Sequence, residues 1–148
     1  DQLSKLWIRA NLVPGESLPI VGPLDLTYVR NTGSAFGLLA NQTFLLTIIT
    51  VVSLLIILLF FHYLSPIVTL GIVSAGLIFG GAVGNLIDRL SLGYVTDFID
   101  IRLWGGFHWP AFNLADASIT IDIHALILSQ YRKGLFRKVY EHNRRAKN

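Results

Sequence analysis

Residues 31–87 contain no Asp, Glu, Lys or Arg, and His62 is the one side chain in that run that titrates near neutrality. A helix needs about 20 apolar residues to cross a bilayer, and this run is more than twice that length. A chain built around it is expected to fold as an α-helical integral membrane protein. Composition points the same way: of 148 residues, 53% are hydrophobic and 14% charged, against roughly 25% charged in a soluble domain. The remaining charge is uneven. Residues 132–148 carry a net +6 and the rest of the chain a net −3. A basic stretch directly after an apolar segment marks the cytoplasmic side of a membrane. It therefore speaks to topology, and no nucleic-acid partner is expected.

Taken in order, residues 1–11 read as the end of a first span, with Leu3, Leu6 and Trp7 at helical spacing. Residues 12–41 read as a β-like platform. Pro14, Gly15, Pro19, Gly22 and Pro23 exclude a helix there, and LDLTYVRN alternates as a strand does. Such backbone cannot face lipid, so the platform is expected on the extracytoplasmic side. Spans follow at 42–64 and 66–89, divided by a tight turn at Ser65-Pro66. Residues 90–112, rich in aromatics, suit an extracytoplasmic interfacial loop or helix. A last span is expected at 113–131 and a basic cytoplasmic tail at 132–148, the whole forming a single membrane domain. The chain has no methionine, even at position 1, so its natural start, and more of the first span, are expected before Asp1.

The absence of cysteine excludes thiolate nucleophiles and cysteine metal sites. No GxSxG elbow, HExxH pair or P-loop occurs. Asp97, Asp100, His108 and Asp116 match no metal motif, but they lie near enough in sequence to keep a metal site open as a weak option. In the second full span, Gly76, Gly80 and Gly84 form one smooth stripe for close helix approach. Asn85 and Asp88 fall on an adjacent face and must point into protein or water. The stretch DFIDIRLWGGFHWPAFNLAD then begins at Asp97 and ends at Asp116. Two carboxyls held close share a proton, so one can act as a base on water while the other polarises a carbonyl. Equally, each aspartate could cap a helix or pair with Arg89 or Arg102. A transporter or channel lined by Asn85, Asp88, Asp97 and Asp116 stays open on these grounds, as does a non-catalytic membrane adaptor.

NTGSAF, GNLIDR, VTDFI and FNLADASI, in this order, closely resemble the bacterial lipoprotein signal peptidase (signal peptidase II) family, over residues 1 to about 120. The resemblance implies a four-span helix bundle with a small extracytoplasmic β platform, its first span largely missing here. It implies an aspartic peptidase of the inner membrane that cuts prolipoproteins carrying a lipobox, just before the diacylglyceryl-modified cysteine. Membrane lipid and the inhibitor globomycin would be further partners, and no cofactor is needed. Matched by motif, Asp97 and Asp116 would be the catalytic dyad. Asn31, Asn85, Asp88, Arg89, Asn113 and Asp1 would bind substrate or support the site. The chain departs from the family at Asp122 and His124, where apolar or small residues are usual.

Overall fold

A computed structural model describes residues 1–34, 38–60, 69–124, 127, 128 and 131. The expected turn at Ser65-Pro66 and the basic tail lie outside the described residues. Helix α1 spans Gln2–Asn11, strands β1 and β2 span Ser17–Val21 and Leu24–Asn31, and helices α2 and α3 span Thr43–Phe60 and Thr69–Leu92. Strands β3 (Val95–Arg102) and β4 (His108–Phe112) follow, and residues 114–124 form helix α4. The four strands make one antiparallel sheet in the order β1-β2-β3-β4. Register places Val29 opposite Asp97 and Asp25 opposite Asp100.

This sheet corrects the expected architecture. The interfacial loop or helix expected at residues 90–112 is replaced by β3 and β4, half the strands of the sheet. Val95, Asp97, Ile99 and Ile101 alternate with Thr96, Phe98, Asp100 and Arg102, and β-branched and aromatic residues in alternation favour a pleated strand. Pro110 is accommodated because β4 is an edge strand, where a missing backbone donor costs least. The four-span bundle is overturned as well: among the described residues, no helix is long and apolar enough to cross a membrane. The described α2 has 18 residues. Asn85, Asp88 and Arg89 interrupt the apolar character of α3, and Asp116, Asp122 and His124 that of α4.

Helix α1 packs on the sheet by an unexpected face. Leu3, Leu6 and Trp7 are exposed, whereas Ile8 joins Tyr28 and Phe98 in a buried cluster. Lys5 is buried completely, at 0% exposure. The apolar stripe legible in the sequence therefore faces outward, and the inward face carries a charge. Pro14 follows the last turn, and Leu12 is already extended at φ −123°. Helix α3 stops at Gly93, whose φ of +78° closes the last turn through its N–H to the Arg89 carbonyl at 3.1 Å.

The glycines of α3 separate into two groups. A Cβ on Gly81 would lie 2.9 Å from the Ala115 carbonyl oxygen, and one on Gly84 would lie 2.6 Å from the Asp1 carboxylate. These two glycines let α4 and α1 close on α3. A Cβ on Gly80 meets nothing within 4 Å among the described residues. Gly81→Ala is therefore expected to lower stability by about 1–3 kcal/mol. Gly80→Ala should leave it unchanged or raise it by up to ~1 kcal/mol through helix propensity. Thermal unfolding of both variants in one detergent checks the contrast; equal melting shifts would contradict the packing of α3 against α4.

Candidate active site

Strand β2 and the start of α4 converge on Asp97 of β3. From β3 its carboxylate meets Asn31 of β2, whose Nδ2 donates to Asp97 Oδ2 at 2.8 Å. Asn31 is itself oriented, because its Oδ1 accepts the Gly33 N–H at 2.9 Å in a local turn. On the other side the Asn113 Nδ2 donates to Asp97 Oδ1 at 2.7 Å. Asp97 is 1% exposed, and Asn113 is fully buried.

The FNLAD segment explains how Asn113 and Asp116 come to face the same place. Asn113 caps α4: its Oδ1 accepts the N–H groups of Ala115 and Asp116 at 2.8 and 3.1 Å. Asp116 reciprocates, accepting the Asn113 N–H at 3.2 Å. The pair is a capping box with aspartate in the third helical position. The remaining Asp116 oxygen accepts the Asn85 Nδ2 of α3 at 2.8 Å, and Asn85 Oδ1 accepts the Asn113 Nδ2 at 3.1 Å. Every oxygen of both carboxylates thus receives a donor, and all the donors are neutral amides.

Asp1 and Asp88 lie one layer further back, around Lys5. The Lys5 ammonium donates to Asn85 Oδ1 at 2.7 Å and pairs with Asp1 at 2.7 Å and Asp88 at 3.5 Å. Asp88 also accepts the Thr96 N–H at 2.8 Å and Gln2 Nε2 at 3.1 Å, with Arg9 at 3.5 Å. The Asp1 carboxylate accepts the Ala115 N–H at 3.1 Å. Lys5, Gln2, Arg9 and Thr96 were missed in the sequence. The one available signal was Lys5 standing one turn after Asp1, on a helix otherwise read by its apolar residues.

Asn31, Asn85, Arg89, Asp97 and Asp116 line a cavity of about 530 Å³ whose apolar walls include Val95, Trp109, Phe112 and Ile119. A second cavity of about 250 Å³ adjoins it past Asp97, lined by Arg30, Thr32 and Ser34 among others. Asp100 does not join this site. Its oxygens are taken by Thr27 at 2.9 Å and by His108 at 2.8 Å. Among the described residues no cluster of His, Asp and Glu could hold a metal ion. His124 Nδ1 lies 2.7 Å from the Thr120 carbonyl oxygen, on an exposed face of α4. Asp122 is buried, and its Oδ2 has no hydrogen-bond partner among the described residues.

Burial is the main reason the Asp97 carboxyl is pushed up to about 7, and the Asp116 charge adds to it. Hydrogen bonds from Asn31 and Asn113 and the charge of Lys5 pull the other way. A carboxyl that holds a proton near neutrality, beside a second carboxyl and an apolar cavity, can run acid–base chemistry on a bound peptide.

A family model described as signal peptidase (SPase) II matches residues 1–132. The chain belongs to the signal peptidase II family. It is therefore a protease of a bacterial membrane-enzyme family. The lipoprotein signal peptidase of Moorella thermoacetica is 52% identical over 124 residues, 83% of this chain and 79% of that protein. That of Halothermothrix orenii is 45% identical over 131 residues, 86% of this chain and 85% of that one. A bacterial membrane enzyme solved by the in meso method at 2.3 Å superposes with a TM-score of 0.81. It is 33% identical, and the match covers 90% of this chain and 82% of that one.

The Asp97 pKa has a consequence for stability. With a folded value near 7 against an ordinary 3.8, the folded chain binds the proton more tightly than the unfolded chain between those values. This carboxyl's contribution is then fully present below about pH 4 and is lost as pH rises through 7. Asp97→Asn should flatten that part of the stability–pH curve, and Asp116→Asn should lower the Asp97 pKa by removing a like charge. Carboxyl infrared titration of both variants checks the sign; an Asp97 band titrating near 4 in the unmodified protein would refute the assignment.

Proposed function

We propose that this chain is an aspartic endopeptidase that removes the signal peptide from diacylglyceryl-modified prolipoproteins, cutting just before the lipidated cysteine of the lipobox. The observation that carries this is the convergence of Asp97 and Asp116 on one apolar-walled cavity, tied together through Asn113 and Asn85. Family membership supports it, since the relatives compared above bear the name lipoprotein signal peptidase.

Asp97, the more deeply buried carboxyl, holds the shared proton and donates it to the oxygen of the scissile carbonyl. Asp116, half-buried at the cavity, accepts a proton from water as the water oxygen attacks the carbonyl carbon. Collapse of the tetrahedral species breaks the C–N bond, passes that proton to the leaving nitrogen, which becomes the amino group of the lipidated cysteine, and returns a hydroxyl proton to Asp97. Asn31 and Asn113 orient Asp97, and Asn85 orients Asp116. Arg89 faces the substrate from the cavity wall, while Asp1 and Asp88 support the site from behind. The apolar walls suit acyl chains, and globomycin would compete for the same space. The site faces the extracytoplasmic side of the bacterial cytoplasmic membrane, against its lipid. The net positive charge of residues 132–148 supports a cytoplasmic C-terminus.

The test is cleavage of a diacylglyceryl-modified prolipoprotein in detergent micelles, with and without globomycin. Cleavage should be globomycin-sensitive and should fall by about 10²–10⁴-fold or more in Asp97→Asn and in Asp116→Asn. Undiminished cleavage in either variant removes that residue from the dyad. No cleavage by the unmodified protein would favour the channel or adaptor alternatives.

A further inference from the structure

A lysine with no exposed surface is costly to bury, so its partners reveal what it is for. The Lys5 ammonium is held by Asp1 on its own helix and by Asp88 and Asn85 on α3. Asn85 is shared: the oxygen that accepts from Lys5 belongs to the same amide that donates to Asp116, and it also accepts from the Asn113 group bound to Asp97. One amide, Asn85, therefore separates the buried cation from Asp116, and two, Asn85 and Asn113, separate it from Asp97.

The charges around this core come from every element packed on it. Cations are Lys5 and Arg9 of α1 and Arg89 of α3; anions are Asp1, Asp88 of α3, Asp97 of β3 and Asp116 of α4. Arg30 of β2 stands further out on the second cavity, stacked over the Tyr28 and Tyr94 rings. Within the core the three cations offset Asp1, Asp88 and one more negative charge. The side chains balance when Asp97 and Asp116 together keep one proton.

We propose that Lys5 is a positioning residue that seats Asn85 against Asp116 and holds the Asp97–Asp116 pair in its singly protonated form. This rests on the dyad proposed above. Lys5 touches no substrate; it acts through Asn85 and through its charge.

The test is the pH dependence of kcat on a synthetic peptide carrying an S-diacylglyceryl cysteine. Removing a buried cation disfavours ionised carboxylates, so Lys5→Met should move both limbs of the profile up by about one pH unit, mainly in kcat rather than KM. Asp88→Asn removes an anion and should move both limbs down. The Lys5→Met/Asp88→Asn double variant leaves the local charge unchanged and should return the limbs close to their starting positions. If Lys5→Met does not fold, the downward shift in Asp88→Asn and its reversal in the double variant carry the same test. Limbs that stay in place in the folded variants, or that move in one direction for both single changes, would overturn the proposal. Asp97→Asn and Asp116→Asn serve as controls. Full cleavage by either sinks the dyad itself, whereas loss in both with unmoved limbs in the Lys5 and Asp88 variants sinks only the role of Lys5.

Discussion

Two carboxylates in one poorly solvated pocket repel each other, and the structure depends on how that repulsion is managed. Asp97 and Asp116 are met first by amide side chains and only then by a cation. Asn113 sits between them, bonded to Asp97 by its Nδ2 and to the Asp116 backbone by its Oδ1. Neutral donors stabilise charge without forcing full ionisation, which a directly bonded ammonium would do. Lys5 reaches the pair through Asn85 instead. That arrangement leaves the Asp97 carboxyl able to hold a proton at neutral pH.

The fold serves this arrangement from several directions. The β2–β3 register sets Asn31 opposite Val95, from where its amide reaches Asp97 diagonally. The capping box at the start of α4 fixes Asn113 and Asp116 relative to one another through local hydrogen bonds alone. Gly81 and Gly84 allow α4 and α1 to approach α3 closely enough for Asn85, Asp116 and Lys5 to meet. Asp88 ties α1 and α3 to β3 by accepting from Gln2 and Thr96 while facing Lys5 and Arg9. A change in any of these elements is transmitted to the carboxylates through no more than a few hydrogen bonds.

The site was more legible than the architecture. NTGSAF, GNLIDR, VTDFI and FNLAD singled out Asn31, Asn85, Asp97, Asn113 and Asp116, and these residues meet in the structure. Arg89 lines the same cavity, whereas Asp1 and Asp88 stand behind it, against Lys5. The interfacial reading of residues 90–112 fails because Trp104, Trp109 and their aromatic neighbours suit a membrane interface as well as a strand. The alternation of VTDFIDIR carried the better signal. Lys5 was missed because the pattern Leu3, Leu6, Trp7 suggested an inward face that in fact points outward. A lysine is usually on the exposed side of a helix, and only its partners on other elements reverse that expectation.

By itself the sequence determined the charge-free stretch, the capping chemistry of FNLAD and the set of acidic and amide residues available for catalysis. These are local properties, set by side-chain type and by spacings of three or four residues. Only the tertiary structure decided that residues 95–112 would complete a sheet, that α1 would bury its lysine, and that five amide and carboxylate groups from β2, β3, α3 and the start of α4 would share hydrogen bonds. Those outcomes depend on contacts between residues up to 114 positions apart, such as the Ala115 N–H on the Asp1 carboxylate. No local pattern encodes a pairing at that distance, because its energy exists only once both elements have been brought together.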